Sequence, residues 1–295
     1  MNLENRHLRT ASRMSLTRRA FLRAGAAGLV GLAAPGLALA ARGVTDLEGF
    51  DSLWRSAEEV IAANFAPGTE FQTGGLHLDV PQHVDTGSSV PVTIRLDSAM
   101  TDQDCPVVIH LVAHGNPTPQ ILSLWLDPRA GRGEVSTRIR LEQSQRVTAV
   151  AAMRDGRHLR ADRDVQVSFG ACAQVGSGSN DDVFGFRPET RISVPPVARM
   201  GEVVTLRAVI SHPMETGLRK SATDEWVRQR IVSTFRCVQG GREVLAARLY
   251  PAMASNPYFM FHLRAEVSGP VQFRWFDMTG PTYTAEAPFA VLNGA

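Results

Sequence analysis

The chain has 295 residues, with 31 Lys plus Arg against 29 Asp plus Glu, a formal net charge of +2. That length holds two ordinary domains. Residues 1–40 carry Arg6, Arg9, Arg13, Arg18, Arg19 and Arg23 against Glu4, a net of +5, which leaves residues 41–295 at about −3. The basic balance therefore belongs to the N-terminal segment and makes no case for binding nucleic acid or acidic lipid.

That segment reads as an export signal. Arg18 and Arg19 stand ahead of Phe21-Leu22, an Ala/Gly/Leu-rich apolar run follows over residues 24–39, and Ala38-Leu39-Ala40 supplies a small-residue cleavage site. The run is too short and small-sided for a membrane span, and no stop-transfer pattern follows it. The expectation is a twin-arginine signal peptide over residues 1–40, a periplasmic destination, and no membrane span in the mature protein.

Residues 53–63 predict a short amphipathic helix, with Leu53, Val60 and Ile61 on one face and Glu58 and Glu59 on the other. Beyond it the helical period disappears. Residues 90–96 (VPVTIRL) and 135–141 (VSTRIRL) alternate apolar and polar side chains, the period of half-buried strands. Residues 107–112, 146–152 and 165–169 read as further strands, with Asp155-Gly156 as a turn between two of them. The pattern returns in the second half. Val204, Leu206, Ala208 and Ile210 alternate, as do Val271, Phe273 and Trp275, and Gln239-Gly240-Gly241-Arg242 predicts a hairpin turn. The fold class expected is all-β: two antiparallel Ig-like β-sandwich domains with a short N-terminal helix. The small, Gly/Ser-rich stretch after Gly170 has the composition of a flexible linker. The domains then run 41–169 and 190–295, with a linker or arm over 170–189.

Three cysteines occur, Cys105, Cys172 and Cys237. An odd number in an oxidising compartment leaves at least one thiol without an internal partner. Cys237 lies on a strand-like run, a place that suits a buried thiol acting as a small hydrophobe, and Cys105 at a strand entrance, which suits a core or half-exposed structural role. Cys172 differs, since it sits between alanines ahead of the Gly/Ser tract with nothing large and apolar beside it. An accessible thiol there suits covalent attachment through the thiolate. A linker cysteine without a role, or half of a disulfide with Cys105 or Cys237, stays open on these grounds.

The residues also resemble a known family. The first half resembles SoxY and the second SoxZ, the two subunits of the bacterial sulfur-oxidation carrier. The SoxY likeness rests on Asn116-Pro117 with Pro119, on residues 135–141, on 147–151 with Asp155-Gly156, and on 165–172. The SoxZ likeness rests on residues 210–217 (ISHPMETG), on Asn256-Pro257-Tyr258-Phe259 and on Phe273-Arg274-Trp275. The chain thus resembles a SoxY–SoxZ fusion. The resemblance implies a non-enzymatic periplasmic carrier whose cysteine, here Cys172, holds thiosulfate-derived sulfur while separate Sox-type enzymes process it. SoxY ends in a Gly-Gly-Cys-Gly-Gly arm, whereas here the motif is Gly170-Ala171-Cys172-Ala173-Gln174 and is tethered at both ends. Alanine restricts the backbone, and residues 170–178 could still extend roughly 25–30 Å. Fused carriers of this kind also occur with quinoprotein dehydrogenases, so the alternative is a non-covalent adaptor docking on such an enzyme.

Other constellations are weaker. His110 and His114, four apart on an expected strand, would need further ligands to hold a metal, and no Cys-x-x-Cys or His-Glu-x-x-His accompanies them. His212 reads as a turn or interface residue, and Met100 and Met214 as core fillers. No phosphate loop or dinucleotide fingerprint occurs, so no cofactor is expected.

Overall fold

The computed structural model describes residues 55–170, 185–221 and 223–293. The first half comprises a helix and nine strands: α1 (Ala57–Asn64), β1 (Gln72–Thr73), β2 (Leu76–Asp79), β3 (His83–Thr86), β4 (Val90–Leu96), β5 (Pro106–Ala113), β6 (Gln120–Leu126), β7 (Glu134–Ile139), β8 (Gln145–Met153) and β9 (His158–Phe169). The second half comprises β10 (Thr190–Ser193), β11 (Val197–Arg199), β12 (Val203–Ile210), β13 (Val232–Gln239), β14 (Arg242–Leu249), β15 (Tyr258–Arg264), β16 (Val271–Asp277), β17 (Thr282–Ala287) and β18 (Ala290–Leu292). The described chain is mostly β, its sheets forming Ig-like sandwiches as the alternating pattern predicts.

Local chemistry explains the elements. Ser56 caps α1 by accepting from the Glu59 backbone N–H, and the Glu59 carboxylate accepts from Ser56 N, a capping box. The buried face of the helix holds Ala57, Val60 and Ile61, as its spacing predicts, while Leu53 lies outside the described residues. Strand β4 buries Val90, Val92, Ile94 and Leu96 and turns Pro91, Thr93 and Arg95 outward or to a half-buried face. The β13–β14 hairpin turns at Gly240 and Gly241, whose φ angles of 59° and 73° are both positive, as a two-residue primed turn requires.

The two halves share both sheets. The large sheet runs β1-β9-β8-β5-β6-β14-β13-β16-β17, with β3 also paired to β9. Its join is the antiparallel β6–β14 pair, in register from Leu122 opposite Leu249 to Leu126 opposite Leu245. The small sheet runs β10-β12-β15-β7-β4-β2, joined where Ser136 meets Met260. One continuous core lies between the sheets and includes residues of both halves, from Leu78 and Ile94 to Phe235, Phe261 and Trp275. In the second half Phe235 packs against Trp275 at 4.2 Å and stacks on Phe259 at 4.9 Å. Each such ring, wholly buried, contributes about 2–3 kcal/mol over its exposed state. Joining both sheets edge to edge covers four edges, those of β6, β14, β7 and β15, which would be a liability in free sandwiches. Among the described residues no helix is long and apolar enough to cross a membrane.

Candidate functional site

Strand β9 leads to the segment that carries Cys172. Cys172 itself, like the Gly/Ser tract, lies outside the described residues. The point from which the segment departs is well defined. At the end of β9, Phe169 sits opposite Thr86 of β3, and its carbonyl accepts from Gly87 N at 2.8 Å. The Gly87 carbonyl accepts in turn from Leu141 N at 2.8 Å. Gly87 and Gly170 both press on the backbone of residues 141–142. A Cβ on Gly87 would fall 1.8 Å from the Leu141 carbonyl oxygen, and one on Gly170 would fall 2.0 Å from that of Glu142. Glycine here serves close approach of two backbones, whereas the sequence presents Gly170 only as the start of a loose stretch.

Asn116 fixes the loop against which the glycines rest. Its Nδ2 donates to the Arg140 carbonyl at 2.9 Å, and its Oδ1 accepts from Glu142 N at 3.0 Å and Gln145 Nε2 at 2.8 Å. The side chain is buried, so leaving any of these groups unpaired would carry a desolvation cost. The same loop reaches the second half. Arg140 donates through Nη1 to the Met214 carbonyl at 2.9 Å, and through Nη2 to the Pro213 carbonyl at 3.1 Å and Ser255 Oγ at 2.6 Å. The root of the Cys172 segment is thus a socket of Gly87, Asn116, Arg140 and Gly170. Gly170→Ala is expected to lower stability by about 1–3 kcal/mol through backbone displacement, seen as a drop in melting temperature. An unchanged melting temperature would mean that the close approach is not required.

The remaining thiols and histidines are engaged elsewhere. Cys105 and Cys237 are free and fully buried, and burial raises both thiol pKa values. Buried, protonated thiols are inert, as their positions in the sequence predict. His110 shares a hydrogen bond with Ser123 Oγ at 2.8 Å, and His114 shares one with Thr148 Oγ1 at 2.9 Å. Strand β5 ends at Ala113, one residue before His114, and the two rings meet different neighbours. Among the described residues no group of three or more His, Cys, Asp or Glu side chains is placed to hold a metal ion.

Comparison with known proteins then decides the family. The model of the sulfur oxidation protein SoxY matches residues 61–172, and that of the sulphur oxidation protein SoxZ matches residues 192–288. The chain belongs to the SoxY–SoxZ family of sulfur-oxidation carriers, with both partners in one polypeptide. Among solved structures it is similar to the sulfur carrier protein SoxY from Chlorobium limicola f thiosulfatophilum, at 26% identity over 38% of this chain and 96% of that one, with a TM-score of 0.32. A superoxide reductase (neelaredoxin) from Ignicoccus hospitalis is also similar, at 14% identity over 32% of this chain and 80% of that one, with a TM-score of 0.30. No curated protein matches the chain.

The SoxZ signature proves to be a junction. His212 is fully buried; its Nδ1 accepts from Met214 N at 3.1 Å, which leaves the proton of the neutral ring on Nε2, facing Asp277 Oδ2 at 3.3 Å. Asn256 ties the turn from the other side, accepting from His212 N at 2.9 Å and donating from its own N to the His212 carbonyl at 2.8 Å. Arg230 Nε donates to the same Asp277 oxygen at 3.0 Å, and Arg230 Nη1 to the Phe186 carbonyl at 3.3 Å. A His–Asp pair without an exposed atom has no nucleophile to activate. Its work is to hold the turn that meets Arg140 and, through Arg230, the chain near Phe186 where the SoxZ half begins. Of the turn or interface roles the sequence suggests for His212, its bonds fit the turn, and Met100 and Met214 are buried as expected, each with a φ of 51°. The sequence gives no sign that Asp277 and Arg230 complete the cluster, since 65 and 18 positions separate them from His212.

Proposed function

We propose that the SoxY–SoxZ chain is a periplasmic covalent carrier, exported by the twin-arginine route, that holds thiosulfate-derived sulfur on Cys172 for separate Sox-type enzymes. The observation that carries this reading is the contrast among the three cysteines. Cys105 and Cys237 are sealed in the core, while Cys172 follows two residues after the anchored Gly170, at the last residue of the SoxY match. A disulfide between Cys172 and either buried thiol would require opening the sandwich.

Loading forms one S–S bond between Cys172 Sγ and the terminal sulfur of thiosulfate. It releases the thiol proton and two electrons, which a separate redox enzyme accepts. The carrier contributes the thiol and the anchored root, and the chemistry on the bound sulfur belongs to its partners. Residues 41–169 and 190–295 act as the two carrier halves, joined by the arm over 170–189.

Intact-mass spectrometry of protein isolated from the periplasm tests this. Reductant-labile sulfur adducts are expected on the native chain and none on Cys172→Ser. An unmodified Cys172 thiol under every sulfur growth condition would overturn the proposal, and would point to the adaptor role beside a quinoprotein dehydrogenase.

A further inference from the structure

The outer face of the ten-stranded sheet differs between the halves. Over the SoxY half, α1 with Phe65 and Phe71 covers Val112 and Val150. Over the SoxZ half no α-helix lies, α1 being the one α-helix among the described residues. Because Phe235, Ala247, Leu249, Phe273 and Trp275 belong to the core, strand alternation turns Arg236, Arg248 and Arg274 to the outside.

These arginines form a tight group. Arg236 and Arg274 are directly opposite in the β13–β16 register, and Arg248 pairs with Thr234, two residues from Arg236 on the same face. Like charges facing each other across a strand pair destabilise a sheet unless negative charge compensates. Among the described residues the compensation of Arg236 and Arg274 is partial. Glu243 reaches Arg236 Nη1 at 3.1 Å, but Arg274 donates to the neutral Gln272 Oε1 at 3.3 Å, and Arg236 Nε is buried without a hydrogen-bond partner. The guanidinium groups lie over aromatic rings, Arg236 above Phe276 at 5.9 Å and Arg248 above Tyr250 at 5.4 Å. A shallow depression of about 300 Å³ lined by Gln272, Arg274, Thr284 and Glu286 continues this face toward β17.

We propose that this face docks an acidic protein surface. Arginine and aromatic side chains are enriched in protein interfaces, and carboxylates from a partner would offset the opposed guanidinium charges. A second copy of the chain fits poorly, because a two-fold contact would set the arginines against themselves. A membrane fits poorly too, since Phe276 and Tyr250 lie beneath the guanidinium groups instead of projecting as anchors. The inference holds whether or not Cys172 carries sulfur.

Two measurements test it. A photocrosslinking residue in place of the exposed Thr284, in the native host, is expected to join the chain to another protein through a peptide of net negative charge. Titration of the purified full chain with poly-L-glutamate should show binding that weakens about tenfold in Arg274→Glu. It should also weaken between about 50 and about 500 mM NaCl and be unchanged in Cys172→Ser. Arg274 is exposed, so its reversal spares the core. The proposal fails if the crosslinked peptide is neutral or basic, if it comes from another copy of the chain, or if no crosslink forms. It also fails if Arg274→Glu binds polyglutamate as the native chain does, or if anionic lipid vesicles bind and polyglutamate does not.

Discussion

Asp277→Ala is expected to destabilise the protein by about 3–5 kcal/mol, the range for breaking a buried ion pair by removing one partner. The Asp277 side chain is wholly buried and accepts from Arg230 Nε, His212 Nε2, Thr279 N and Thr279 Oγ1. Without it, Arg230 Nε and the buried His212 imidazole lose this shared acceptor, Arg230 keeping its bonds to the Phe186 carbonyl and Tyr283 Oη, and the turn that receives Arg140 loses its support. Exposed pairs such as Arg95–Asp79, about half accessible on both sides, are worth under about 1 kcal/mol. Burial works against the ionised form of Asp277, but the hydrogen bonds from His212, Thr279 and Arg230 outweigh it and hold the carboxyl pKa below the usual carboxylate range. The contribution is therefore complete above the unfolded value near 3.8 and is lost as pH falls through the depressed folded value. Urea unfolding of native and Asp277→Ala proteins at neutral pH checks the magnitude. A loss under about 1 kcal/mol would show the cluster to be no more than a surface pair in energy.

The strands that could be read from sequence are those with one buried face. In β4 and β12 core and solvent sides alternate, and the period-two pattern transmits that directly. Alternation passes over β6, whose Ile121, Leu122, Ser123, Leu124 and Leu126 are all buried. It is a central strand that joins the halves, so both faces are covered and the pattern becomes a nearly continuous apolar run. For the same reason the sequence presents the two halves as separate sandwiches, although β6 pairs with β14. The root of the Cys172 segment was half legible. Asn116 stands out within Asn116-Pro117, but its hold on residues 140–145, and the approach of Gly87 to Leu141, are contacts across 24 or more positions that no local pattern encodes. Arg140 reads as an outward residue of an alternating strand, yet its guanidinium closes the junction onto Pro213 and Met214.

A second large effect is expected from His110, in a different pH window. The residue is 5% exposed, and its ring meets the Phe65 ring edge-to-face at 5.8 Å and shares a hydrogen bond with Ser123 Oγ. Burial pushes its pKa down from 6.5 to about 4, with no charged neighbour to offset it. As pH falls below 6.5 the unfolded chain takes up a proton at this position while the folded chain does not, so stability declines until about pH 4, below which both states are protonated. The full decline is about 3 kcal/mol. His114 and His262 are also depressed by burial and add to the same window, so the wild-type curve alone does not isolate His110. The difference between the native chain and His110→Gln does. Glutamine keeps a polar group near Ser123 and does not titrate, so the variant should start less stable at pH 7 and approach the native curve as pH drops to 4.5. Asp277 contributes its pH dependence at lower pH, where its carboxyl begins to protonate, so the two effects separate along one titration. Parallel stability curves for the native chain and His110→Gln across this window would show that the folded protein admits a proton at His110 as readily as the unfolded chain does.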